Sequence, residues 1–173
     1  MRVFRFFFII ILFLLFPHIS FAQSNYVLPY PSTMPGSFAY KLHLVYVNFS
    51  RYWYFGDFGH FKYNLKMADK YLVEAKTLFE YRQYLLGYKA LQKSDQYFVN
   101  ILPNLQRAEK NGKDTFQKRI ILKEASEKHI EILSKMQINS PDVFNWQPEK
   151  SLPTVINIKK TIENSINLRK NYL

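Results

Sequence analysis

Between Phe58 and Phe79 the apolar residues Phe58, Phe61, Leu65, Ala68, Leu72, Ala75 and Phe79 recur at intervals of three and four. That spacing places them on one side of an α-helix and matches the seam of an antiparallel hairpin or bundle helix. Tyr71, Leu78 and Leu85 widen the stripe, and Tyr54-Phe55-Gly56 breaks the chain just before it. Asp57 is then a natural N-cap. A second pattern supplies the partner: Leu86, Ala90, Leu91, Tyr97, Phe98, Ile101, Leu102, Leu105 and Ala108. Pro103 lies inside it, and proline removes a backbone donor and restricts the preceding residue, so a kink or restart is expected near Leu102. Lys110-Asn111-Gly112-Lys113 reads as a helix end, with Asp114 or Thr115 opening a helix whose face carries Ile121, Leu122, Ala125, His129, Ile132, Leu133 and Met136. It stops near Asn139-Ser140-Pro141.

The flanks are less determined. Upstream, Ser37 can cap a helix whose apolar positions Phe38, Leu42, Val45, Phe49 and Trp53 step by four and three. Phe38, Tyr40, Leu42, Leu44 and Tyr46 also alternate as in a strand; helix is preferred because no second strand-like segment offers a partner. Downstream, residues 138–153 concentrate proline, asparagine and serine and read as a linker loop in which Phe144 and Trp146 anchor onto the bundle. The segment 154–173 offers Val155, Ile158, Ile162 and Ile166 as one face of a C-terminal helix, weakly favoured and loosely docked. The expectation is an all-α protein: an antiparallel hairpin extended to a four- or five-helix bundle over residues 37–137, behind an extended leader at 23–36.

Residues 1–22 have a different character. Arg2 and Arg5 precede an unbroken apolar run from Phe6 to Phe16, followed by Ser20-Phe21-Ala22, the pattern of a secretory signal with cleavage after Ala22. The run is about half of the roughly 20 residues a bilayer-spanning helix needs, which makes a retained anchor the lesser reading. There is no cysteine anywhere, so disulfides, thiolate metal sites and lipid-modified cysteine are all excluded although export would permit disulfides. The whole chain carries 24 Lys and Arg against 13 Asp and Glu; the processed chain keeps a net charge of +9. Such a charge favours attraction to anionic surfaces. Outside the cytoplasm those are lipid headgroups and wall or surface polymers, with nucleic acid not expected.

The stretches Pro35-Gly36-Ser37-Phe38-Ala39-Tyr40-Lys41, Phe55 with Asp57, MADKYLVEAKTLFE at 67–80 and ALQKSDQYF at 90–98 together resemble exported bacterial helical proteins grouped under a domain of unknown function. These open with a proline turn and an aromatic-x-x-Lys helix start, here Phe38 and Lys41, followed by an antiparallel helical hairpin. The resemblance covers about residues 28–98. It implies an all-helical exported domain and brings no catalytic residues to carry over; the acidic residue that often follows the lysine in such proteins is missing.

Motifs that suggest chemistry have plainer explanations. Asp57-Phe58-Gly59 matches the kinase metal-binding tripeptide, but the glycine-rich loop, strand lysine and catalytic loop are lacking. His43, His60 and His129 are too far apart for helical metal-ligand spacing. Glu124 or Glu127 with His129 is a conceivable partial ligand set, though His129 reads better as packed at the edge of an apolar stripe. Ser94-Asp95 and Ser134-Lys135 fit no nucleophile motif, Glu124, Glu127 and Glu131 read as surface ion pairs with nearby lysines, and the Asn48-Phe49-Ser50 sequon falls in an apolar helix. The remaining feature is a basic row, Lys62, Lys66 and Lys70, continued by Glu74. A solvated face in which Asp69, Glu74 and Glu80 pair with Lys66, Lys70 and Lys76 accounts for it, leaving Tyr63 as the exposed ring. The functional alternative is a basic face of Lys62, Lys66, Lys70, Lys89 and Lys93 contacting anionic lipid or polymer. The expected function is therefore a non-catalytic exported envelope or extracellular interaction module without cofactor, whose partner is an envelope protein or an anionic surface. The competing expectation is a periplasmic-type chaperone or helical-repeat adaptor, suggested by YRQYLLGYKALQKSDQYF, holding peptide in an aromatic groove of Tyr81, Tyr84, Tyr88 and Tyr97.

Overall fold

The computed structural model describes residues 26–31, 33, 35, 38–150 and 152–173; the segment expected to be a secretory signal, the expected cleavage after Ala22 and the expected Ser37 cap lie outside them. In chain order the elements are α1 (Phe38–Ser50), a 3-10 turn (Arg51–Trp53), α2 (Gly56–Glu80), α3 (Tyr84–Val99), α4 (Ile101–Lys110), α5 (Phe116–Asn139), β1 (Val143–Trp146), β2 (Thr154–Asn157) and α6 (Ile158–Lys170). The protein is an all-α helical bundle carrying one small antiparallel ribbon.

The three-four stripe of α2 forms the centre. Phe61, Leu65, Ala68, Leu72, Ala75 and Phe79 are buried, with α3 as the principal neighbour. One end of the seam meets Phe98, Ile101, Leu105, Leu122 and Ala125; the other meets Ala90, Leu91, Leu133, Met136, Ile158 and Ile162. Gly87 allows the close α2–α3 approach, because a Cβ there would stand 2.7 Å from the Phe79 ring. Pro103 lies in the first turn of α4, which restarts at Ile101 after a break at Asn100, where a missing amide donor costs no helical hydrogen bond.

Four expectations are corrected. Asp57 is not the cap of α2, since the helix begins at Gly56 behind an extended Phe55. The Asp57 carboxylate instead accepts from Asn111 Nδ2 at 3.0 Å and Lys113 Nζ at 3.1 Å, tying the start of α2 to the α4–α5 turn. Residues 138–153 are not all loop, nor 154–157 helix: Phe144 pairs with Ile156 and Trp146 with Thr154 across the ribbon. Val155 and Ile156 fit a pleated surface, and the helix begins only at Ile158, where Asn157 Oδ1 accepts from the Lys160 amide at 3.1 Å. Phe144 packs against Tyr84 with ring centroids 5.3 Å apart, whereas Trp146 and Val155 are exposed. The C-terminal helix is firmly docked through Ile158, Ile162 and Ile166.

The fourth correction concerns α1. Phe38, Leu42, Val45, Phe49 and Trp53 face outward rather than inward. Val47 and Ser50 are the buried side, and Val47 packs among Tyr63, Met67 and Tyr71. Because α1 is apolar on both sides, spacing alone did not select the inner one. Polar contacts do: Tyr40 Oη donates to Glu74 Oε1 at 2.8 Å, and Tyr63 Oη to the Val47 carbonyl at 3.4 Å.

Candidate functional site

Alternate turns of α2 turn His60, Tyr63, Asn64 and Tyr71 toward the space beside α1, and α3 contributes Lys93, Gln96 and Tyr97 from the opposite wall. Arg51 closes one side and Asn100, Asn104 and Arg107 another, enclosing an open cleft of about 730 Å³. Tyrosines form its backing. Tyr71 and Tyr97 stack nearly parallel at 5.7 Å and 7°, Tyr97 meets Tyr63 edge-on at 5.9 Å, and Tyr63 meets Tyr54 at 5.5 Å. Gly59 makes room for the end of this ladder, since a Cβ would come within 2.7 Å of the Tyr54 carbonyl carbon.

Burial, with help from Tyr97 and Glu74, pushes the Tyr71 phenol up to about 12, and burial followed by the Tyr97 hydrogen bond pushes Tyr63 further up. Both rings therefore stay neutral donors through the physiological range. Two ammonium groups attend the Tyr71 ring, Lys70 Nζ at 4.5 Å and Lys93 Nζ at 5.1 Å, within cation–π range. Among the described residues no carboxylate lines the cleft. Arg107 is 3.7 Å from Asp57 and also bonds Asn104, while Arg51 and Lys93 enter no ion pair among the described residues.

The five lysines of the expected basic face divide. Lys62 and Lys66 are exposed and outside the cleft lining. Lys70 is withdrawn beneath α1, where its ammonium and Glu74 Oε2 lie 3.9 Å apart, each buried without a hydrogen bond among the described residues. Burial lowers its pKa, with Glu74 opposing. Lys93 lines the cleft, and Lys89, one turn earlier, lines a separate groove of about 400 Å³ with Tyr88, Trp146 and Lys160. Tyr63 is buried rather than exposed. The four tyrosines of the expected peptide groove do not share a concavity: Tyr97 is in the cleft, Tyr88 in the second groove, Tyr84 packs on Phe79, and Tyr81 is exposed at the α2–α3 turn.

The densest set of chemistry-bearing side chains lies elsewhere, with Asp69, His129 and Arg169 buried and Asp95 partly exposed. Asp69 accepts from Tyr26 Oη at 2.6 Å and bonds His129 Nε2 at 2.7 Å. Arg169 Nε reaches His129 Nδ1 at 3.0 Å, Nη1 reaches Asp95 at 2.7 Å, and Nη2 reaches Ser94 Oγ at 2.9 Å. Ser165 Oγ donates to the other Asp95 oxygen at 2.6 Å. This network joins α2, α3, α5 and α6, and both ring nitrogens of a completely buried His129 are occupied. The expectations that Asp69 pairs with Lys66 and that His129 sits at a stripe edge, or with Glu124 or Glu127, are thereby corrected. Arg169 was not singled out, although it continues the spacing of Ile158, Ile162 and Ile166 by three more residues and so falls on the buried face. Among the described residues no cluster of three or more His, Cys, Asp or Glu could hold a metal ion, and no helix is long and apolar enough to cross a membrane. No family model, no curated protein and no solved structure matches the chain.

Proposed function

We propose that the protein is a non-catalytic, exported envelope module that holds a segment of anionic polymer in the tyrosine-backed cleft. The observation that carries this reading is that, among the described residues, Arg51 and Lys93 enter no ion pair and the lining contains three tyrosine rings and no carboxylate. Tyrosine faces suit sugar or other low-polarity parts of a repeat, side-chain amides of Asn64, Gln96 and Asn100 suit hydroxyls, and the cations suit phosphate or carboxylate groups. Lys62 and Lys66 add to the attracting field nearby, and Lys89 with Lys160 extends it toward the second groove. Export rests on Arg2, Arg5, the Phe6–Phe16 run and Ala22.

The test is calorimetric titration of the processed chain, from Gln23 onward, with a poly(glycerol phosphate) chain and with neutral dextran. Selective binding of the phosphate polymer is expected, weakening as salt rises. Lys93→Glu is expected to weaken it at least roughly tenfold, the scale of losing one charge-assisted contact, while the thermal midpoint is retained because Lys93 is exposed. Equal affinity for dextran, or an unaltered affinity in Lys93→Glu and Arg51→Glu, would reject the assignment.

A further inference from the structure

Among the described residues the outward side of α1 has no protein partner. Phe38 is 75% exposed, Phe49 63%, Trp53 67% and Phe55 80%, with Leu42, Val45 and Tyr46 each more than half exposed between them. The inner side of the same helix is already satisfied by Tyr63, Met67 and Tyr71 around Val47. A helix that is apolar on opposite sides is ordinarily enclosed on both, by protein or by lipid, and contiguous apolar exposure of this kind marks an interaction surface.

We infer that α1 docks the protein on an anionic bilayer, lying in the interfacial plane with Phe38, Leu42, Val45 and Phe49 immersed. This surface lies apart from the cleft and does not depend on its ligand. Charge selects the bilayer over a second copy of the chain. No Asp or Glu occurs from residue 26 to residue 56; the exposed cations of this segment are Lys41 and Arg51, and Lys66 of α2 is exposed near His43 of α1. In a symmetric dimer through this ridge those cations would face their own copies; against acidic headgroups they are complementary. Length fixes the orientation. Thirteen residues make a rod of roughly 20 Å, shorter than the roughly 30 Å hydrocarbon core, so the helix lies along the surface rather than across it. Tyr46 in its C-terminal half and Tyr52 and Trp53 in the 3-10 turn after it are the side chains that favour the headgroup boundary.

The chain has two tryptophans, and in a Trp146→Phe variant the emission of Trp53 alone reports the ridge. With vesicles of phosphatidylglycerol and phosphatidylcholine the processed chain is expected to cofloat and its emission to shift to the blue, with weaker partitioning into phosphatidylcholine alone. Phe49→Glu is expected to lower partitioning roughly tenfold or more, as loss of a buried aromatic side chain implies, with helical circular dichroism unchanged; Val45→Gln and Leu42→Gln give the same direction should Phe49→Glu fail to fold. Lys93→Glu is expected to keep vesicle binding, which separates this surface from the polymer cleft. Absence of cofloatation would overturn the inference. So would a dimer in sedimentation that Phe49→Glu returns to monomer, because a second copy would then cover the ridge.

Discussion

Arg169 Nε donates to His129 Nδ1 at 3.0 Å, and this one contact fixes the state of the buried network. An arginine nitrogen has only protons to offer, so Nδ1 must be bare and the proton of a neutral imidazole sits on Nε2, where it bonds Asp69 at 2.7 Å. Protonating His129 would place two N–H groups against each other in the core. Burial lowers the His129 pKa, Arg169 adds to the effect, and the Asp69 bond opposes it.

That state makes stability depend on pH with a definite sign. In the folded chain His129 holds its proton less tightly than in the unfolded chain, where its pKa is about 6.5. As pH falls below that value the unfolded state binds a proton that the folded state refuses, so the contribution is complete above about 6.5 and is lost on acidification. Urea midpoints are expected to be flat between pH 8 and 7 and to drop below 6.5, by up to about 1.4 kcal/mol per pH unit for this one group. His129→Gln keeps an acceptor for Arg169 and a donor for Asp69 without titrating. It is expected to remove most of the slope; an unchanged slope would assign the dependence elsewhere.

Arg169→Met tests the network from its other end. The truncation leaves the buried Ser94 and His129 Nδ1, and the partly exposed Asp95, without the Arg169 donor, and breaking one side of a largely buried charge pair costs up to about 3–5 kcal/mol. Lysine is not expected to rescue the loss, because the guanidinium serves Asp95, His129 and Ser94 with three different nitrogens and one ammonium cannot reproduce that fork. Thermal unfolding of both variants checks this, and Arg169→Lys of native stability would contradict it.

The α2 seam was legible because its three-four period runs unbroken from Phe58 to Phe79, although the opposite side, where Tyr63 and Met67 pack on α1, is also partly apolar. So were the hairpin, the Pro103 restart and the stop at Asn139-Ser140. Three features were hidden for separate reasons. The inner side of α1 is chosen by Tyr40–Glu74 and Val47–Tyr63 contacts between residues 34 and 16 positions apart, which no local window contains. The β1–β2 ribbon is only four residues per strand, too short for alternation to outweigh the surrounding polar residues. The cleft is assembled from α1, α2, α3 and α4, and its lysine and arginines look individually like any solvated cation; the Asp69–His129–Arg169 line likewise exists only once α5 and α6 are packed.

Gly87→Ala sets helix propensity against packing. Alanine would gain about 1 kcal/mol as a helix former, but its Cβ would meet Phe79 Cδ2 at 2.7 Å. Phe79 is buried and held edge-on by Tyr84 at 5.9 Å, so it has little room to yield, and overpacking of this kind costs about 1–3 kcal/mol. A net loss in urea denaturation is expected. Phe79→Leu in the Gly87→Ala background should recover part of it, a coupling that a clash elsewhere would not produce.

The buried pair beneath α1 carries the last expectation. Lys70 and Glu74 face each other at 3.9 Å without a direct hydrogen bond, so their attraction offsets only part of the cost of removing both from water. Lys70→Met leaves Glu74 with Tyr40 as its hydrogen-bond donor, and Glu74→Gln leaves the ammonium with only the rings of Tyr40 and Tyr71. Each single variant is expected to lose about 1–3 kcal/mol through the unpaired partner. The double variant Lys70→Met/Glu74→Gln is expected to be close to neutral, because the remaining amide still accepts from Tyr40 and a methionine fills the lysine stem's space beside Tyr71. A double-mutant cycle in urea reads the coupling directly, and strictly additive losses would mean the two groups are solvated rather than buried together. The same double variant should leave affinity for poly(glycerol phosphate) intact, since Lys70 is withdrawn under α1 while Lys93 alone of the expected lysines lines the cleft.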